Sequence, residues 1–186
     1  MKKVFILLLC CVCMVETNAQ NNRNELQAGA ELVVPHNYIV GYSIDIKWLY
    51  SLGKSGKLTL SAGKARSNSS MRNNGTHVSW LRTNAVLLGY RHSVNKFYFE
   101  PQTGYGQIAG RGYLQGGYFR QSYGAFFWGG AAGLQLKRFD IGLRYQSAHR
   151  RVHRDIVPID WEIATRKFRF GGIRVGYNLL GIGRKK

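Results

Sequence analysis

The stretch SAHRRVHRD, residues 147 to 155, gathers the residue types that do chemistry. Ser147 and His149 would share one face of a strand, and His153 and Asp155 follow in the same run. A serine within reach of a histidine that an acid orients is the arrangement of a nucleophilic hydrolase. The same His149, His153 and Asp155 also have the donor types of a metal site. Interleaved Arg150, Arg151 and Arg154 oppose a cation there, and solvated loop histidines explain the run with fewer assumptions. No residue of the run is therefore expected to be catalytic or to hold a metal, no cofactor is expected, and the balance points away from an enzyme.

The arginines themselves are a better-founded candidate. Arg150, Arg151 and Arg154, with Arg166 and Lys167 across the same segment, form the densest basic patch on the expected outer side. Arginine presents a planar fork suited to bidentate phosphate contact. Polyanion binding is the function this patch suggests; a solvated loop rim is the plainer alternative.

A second set of charges is spread along the chain. In YIVGYSIDIKWLY, residues 38 to 50, every even position is apolar, while Asp45 and Lys47 stand on the other side. Successive side chains of a strand point to opposite faces, so this strand is apolar on one side and charged on the other. The same separation recurs. Leu26, Ala28, Ala30 and Leu32 oppose Gln27 and Glu31; Phe97 and Phe99 oppose Tyr98, Glu100 and Gln102. Phe139, Ile141, Leu143 and Tyr145 oppose Asp140, Arg144 and Gln146, and Ile173, Val175 and Tyr177 oppose Arg174. The polar faces thus collect Glu31, Asp45, Lys47, Glu100, Asp140, Arg144 and Arg174, with Glu100 and Asp140 the expected partners of Arg144.

The frame that would hold these charges is legible from turn signals. Eight strand segments, roughly 25–35, 37–52, 56–65, 78–92, 96–107, 122–137, 138–148 and 167–180, cover the chain without a helical period. Tight polar joints (LGKSG, HSVNK, LKRF) alternate with longer connections, among them 107–122 and the basic segment after Ser147. An even strand count with short turns at one end and longer loops at the other describes a closed transmembrane barrel. On strand four Arg82 and Asn84 share a face with Val86, Leu88 and Tyr90, which a bulge or a strand running past the bilayer would explain.

Composition agrees. Residues 1–19 read as a signal peptide: Lys2 and Lys3, an apolar run from Val4 to Val15, then Thr17-Asn18-Ala19 before a cut at Gln20. Residues 20–186 are then the barrel domain, without cysteine. That domain carries 25 Lys and Arg (27 less Lys2 and Lys3) against 8 Asp and Glu (9 less Glu16). Half of those scarce acids lie on the polar strand faces. Solvent would not recruit them there, whereas a narrow lumen would, because a buried charge is tolerated when paired. Export sets nucleic acid aside as the partner of so basic a chain and favours anionic lipid, lipopolysaccharide or another surface polyanion. The bases of the short-turn end, including Lys57, Arg91, Lys96, Lys137 and Arg138, are expected to meet headgroups.

FDIGLRYQ, a long charged loop, then FGGIRVGYNL resembles the last hairpin of the small eight-stranded outer-membrane β-barrels, similar to the OmpA transmembrane domain and OmpX. The resemblance implies an all-β, antiparallel, up-and-down barrel in a Gram-negative outer membrane, expected to be a monomer. The family includes anchors, adhesins and lipid A-modifying enzymes. A structural or surface-interaction role is the reading preferred, with a deacylase-like hydrolase as the alternative. The deacylases of this fold carry a His-x-Ser order, and here the order is Ser147-x-His149.

Overall fold

Side-chain alternation strand after strand gives each strand one apolar and one polar face, and closing the sheet on itself separates the two sets. The computed structural model describes residues 24–35, 40–53, 55–68, 72–73, 76–114, 117–149 and 167–182. Its strands are β1 (Asn24–Pro35), β2 (Gly41–Ser51), β3 (Gly56–Asn68), β4 (Thr76–Val94), β5 (Phe97–Leu114), β6 (Gly117–Leu136), β7 (Phe139–His149) and β8 (Lys167–Ile182). All neighbours run antiparallel, β1 pairs with β8 as well as β2, and the barrel closes. A two-residue piece, Arg72–Asn73, folds back onto the start of β4.

The register sets the geometry. Glu25 faces Leu49, which faces Thr59, then Gly89, Gln102, Gly129, Gln146 and Phe170, and Phe170 returns to β1 at Pro35. The path closes ten residues higher than it began (35 less 25). With strands about 4.8 Å apart this stagger tilts them by roughly 40°, inside the usual range for small barrels. Each step from β1 toward β8 along the ladder therefore climbs about 3 Å.

Three tight connections lie at one end, where β1 begins and β8 finishes. Asn95 and Lys137 take left-handed backbone angles, φ 56° and 52°, in the turns after β4 and β6. Two-residue hairpins favour such angles because their twist matches that of the strands. Each turn is tied sideways: Ser93 N donates to Ser55 O, Gln135 N to Lys96 O, and Asn178 N to Arg138 O, at 2.7 to 2.8 Å.

At the other end two expectations change. The segment 107–122 is not a long loop, for β5 and β6 continue in register to Leu114 and Gly117. Its glycines, among them Gly110, Gly112 and Gly117, erase the side-chain alternation from which a strand is read, but backbone pairing needs no side chain. On β4 the irregularity falls between Val78 and Trp80, above Arg82. Arg82 and Asn84 keep the face of Val86 because the strand outruns the apolar band.

Candidate functional site: the lumen and the outer rim

The lumen is lined by one face of every strand. Among the described residues it holds four carboxylates, Glu31, Asp45, Glu100 and Asp140, and four cations, Lys47, Arg91, Arg144 and Arg174, all buried. The formal charges cancel, which a low-dielectric interior requires.

Glu100 sits at the centre of the lower group. Lys47 Nζ donates to its two oxygens at 2.8 and 3.1 Å, Arg91 Nε at 2.8 Å, Thr59 Oγ1 at 2.9 Å and Gln102 Nε2 at 2.6 Å. Asp140 accepts from Arg91 Nη1 and from the Tyr98 hydroxyl, both at 2.6 Å, and from Gln27 Nε2 at 3.3 Å. The Arg91 guanidinium lies 3.9 Å above the Tyr98 ring, so a π face covers what the carboxylates do not.

Arg174 links this group to the next. Its Nε and Nη2 donate to Asp45 at 3.1 and 3.0 Å, Nη2 also to Gln27 Oε1 at 3.0 Å, and Nη1 lies 3.7 Å from Asp140. Higher still, Arg144 forms an ion pair with Glu31, and its Nη2 donates to Ser43 Oγ at 3.3 Å. Space for these side chains comes from small neighbours. A methyl group on Gly29 would overlap the side chains of Asp45 and Arg174, and one on Gly142 would overlap the Tyr98 hydroxyl.

Above the charges the interior turns apolar. Val33, Leu81, Leu87, Ile108, Ala125, Phe127, Ala148, Phe168 and Phe170 pack as one cluster toward the outer end. Cavities inside measure about 20 Å³ beside Asp45 and Arg144 and about 10 Å³ beside Leu81 and Phe168. That is room for a single water at most. Around these hollows the described side chains of the lumen are packed as a core.

Three sequence expectations need correction. Arg91 does not meet headgroups; it is fully buried between Glu100 and Asp140. Its position on the inward-pointing face with Thr83, Leu87 and Gly89 was the available signal, masked by the basic turn that follows. Lys57 is half-withdrawn too, paired with Glu25 at 2.7 Å below the network. Finally, the expected partners of Arg144 were Glu100 and Asp140, but the stagger of the barrel puts Glu31 at its height. Asp140 is four residues below Arg144 on the same strand, roughly 13 Å along the chain. Gln27, Tyr98 and Gln102, placed on the polar faces by alternation, are further members whose partners only the structure shows.

The outer wall reverses this chemistry. Ile44 and Ile46 are more than half exposed, as are Leu143 and Ile173. Trp48, Tyr50, Phe97, Phe99 and Phe139 stand outward near the short turns, and Tyr42, Tyr105, Phe126, Trp128 and Tyr145 nearer the other end. From Phe97 to Tyr105 along β5 the band rises about 20 Å, close to the height expected of a lipid-facing belt.

Above the band the outward face becomes basic. Lys64, Arg66, Arg111, Arg120 and Arg169 are exposed and Arg82 is partly so. Ser147 and His149 share a side of β7, Ser147 buried opposite Trp128 and His149 exposed opposite Phe126. The described acids stand elsewhere: Glu31, Asp45, Glu100 and Asp140 inside, and Glu25 at the short-turn end. None is placed to orient His149. His153, Asp155, Arg150, Arg151, Arg154 and Arg166 lie outside the described residues, as does the side chain of Lys167, whose backbone pairs with His149.

No family model matches the chain, and no curated protein is similar to it in sequence. Solved structures do resemble it in fold. The attachment invasion locus protein Ail of Yersinia pestis, in complex with the heparin analogue sucrose octasulfate, superposes with a TM-score of 0.58 at 11% identity. That match covers 86% of this chain and 100% of Ail. The N-terminal β-barrel domain of Pseudomonas aeruginosa OprF gives 0.59 at 10% identity, covering 86% of this chain and 98% of that one. Neisserial surface protein A gives 0.51 at 13%, covering 83% and 95%. At these identities the likeness establishes the fold: a small eight-stranded barrel of the outer-membrane type.

Proposed function

We propose that this chain is an outer-membrane barrel with a structural and surface-interaction role, its basic outer loop contacting lipopolysaccharide or other polyanions. The observation that carries the membrane part is the inversion of the molecule. Its apolar residues face outward in a belt about 20 Å high while its charges are paired inside. Such an exterior is stable in lipid and would aggregate in water. A packed lumen favours an anchor over a pore. The crystal complex of Ail with a heparin analogue lends support to polyanion binding on this fold.

For the loop, Arg150, Arg151, Arg154, Arg166 and Lys167 outnumber Asp155, Asp160 and Glu162. Val157 and Trp161 add an apolar foothold. Attraction between exposed charges is screened over about 10 Å at 0.1 M salt, so binding should weaken steeply as salt rises. The test is titration of the refolded barrel with heparin and with lipopolysaccharide. Replacing Arg150, Arg151 and Arg154 by Gln should lower both affinities and leave the barrel folded. Unaltered, salt-insensitive binding would reduce the loop to a solvated rim. Lipid A deacylation that disappears in His149→Ala would instead favour the hydrolase.

A further inference from the structure

The outer wall of β1 to β4 joins a basic cluster to an apolar groove. Arg66 on β3 stands directly opposite Arg82 on β4, and Lys64 is two residues below Arg66 on the same outward face. Like charges directly opposite on neighbouring strands repel. Among the described residues no carboxylate forms an ion pair with any of the three, since every ion pair found is in the lumen or beneath it. Arg82 Nε is occluded and has no hydrogen-bond partner. Arg66 lies 6.0 Å over the Trp80 ring, which holds its guanidinium out along the wall. Three cations thus stand together with no carboxylate among the described residues paired to them.

Beneath them the wall is hollow. Ala28 and Ala62 form the floor of a groove of about 410 Å³, with Ile44 and Ile46 beside it and Lys64 at its rim. Ile44 is also a wall of a second, larger groove of about 810 Å³ over Ala30 and Gly171, bordered by Leu32, Tyr42 and Ile173. The ladder climbs from β1 toward β4, so Arg66 and Arg82 stand above both hollows at the top of the apolar belt.

We infer that the wall running from β8 through β1 to β4 is a binding site for a phosphorylated lipid with several acyl chains, the lipid A part of lipopolysaccharide. Its phosphate is held by Lys64, Arg66 and Arg82, and its chains lie in the grooves on either side of Ile44. Phosphate offsets the Arg66–Arg82 repulsion with charge-assisted hydrogen bonds, and Arg82 Nε supplies an unused donor. A soluble polyanion would use the cations and leave the grooves empty. The hollows are what select a lipid. This site rests on the outer-membrane reading above but not on the loop 150–166.

The test uses the full barrel, refolded in detergent, with purified bis-phosphorylated lipid A titrated in and bound lipid counted by native mass spectrometry. The combined change Lys64→Gln, Arg66→Gln and Arg82→Gln should weaken binding at least tenfold. Removing both phosphates from the lipid should cost wild type as much, and should cost the triple variant nothing further. Ala62→Leu fills the groove without touching a charge, and should weaken lipid A while leaving heparin binding unchanged. Replacing Arg150, Arg151 and Arg154 by Gln, which should weaken whole lipopolysaccharide through its polysaccharide, should leave binding of lipid A stripped of that polysaccharide intact. Full affinity in the Lys64/Arg66/Arg82 variant, or equal competition by phosphatidylglycerol, would overturn the inference. So would a wild-type barrel that inserts into phospholipid vesicles but binds no lipid A, and that outcome would leave the outer-membrane reading standing. Failure to insert into vesicles at all would remove both.

Discussion

Arg91 near the end of β4 donates to Asp140 at the start of β7 across 2.6 Å, although 49 residues separate them in the chain. The same guanidinium serves Glu100, so one side chain neutralises parts of two buried carboxylates. Lys47 and Arg174 supply the remainder.

Removing Arg91 should therefore be among the most damaging single changes. Arg91→Met leaves Glu100 and Asp140 buried with fewer partners, and breaking a buried pair on one side costs about 3–5 kcal/mol. Adding Asp140→Asn should recover part of that loss. Urea unfolding of barrels refolded in lipid vesicles measures both, and equal stability of Arg91→Met and wild type would show that the residue is solvated.

Glu31 and Arg144 should behave as a unit. A double-mutant cycle of Glu31→Gln with Arg144→Met should show coupling of about 0.5–3 kcal/mol, as residues in one ion pair do. Arg144→Met combined with Glu100→Gln should come closer to additive, because Glu100 belongs to the group around Lys47 and Arg91. Reversed results in the two cycles would mean that the register around β7 differs from the one described.

Ile44 should tolerate no charge. It stands outward between the two aromatic girdles with 57% of its surface exposed, and Ile44→Arg should cost about 2–4 kcal/mol in a bilayer. In detergent, where the headgroup boundary is softer, the loss should be smaller. Equal folding of the variant into bilayers would place Ile44 off the lipid face.

Much of this was readable from single residues. Strand period is two, so one polar position among apolar ones assigns a whole face; Asp45 and Lys47 identified the inside of β2, and Asp140 and Arg144 that of β7. Scarcity sharpened the signal, because acids in so basic a chain are spent where a cation must be neutralised. The strand count, the end that carries the short turns and the apolar belt follow from local pattern alone. The glycine-rich segment of β5 and β6 escaped because glycine carries no face.

Pairing was another matter. Which acid meets which base depends on height along the barrel axis, and height depends on the stagger accumulated through all eight strands. That quantity is not local: the ten-residue offset between Glu25 and Pro35 appears only once the last strand joins the first. It raises Glu31 to Arg144, lowers Arg91 to Asp140, and brings Arg66 of β3 against Arg82 of β4 above a groove lined from β1, β2 and β3. Alternation along a chain told which way each side chain points; closure of the sheet decided what it finds there.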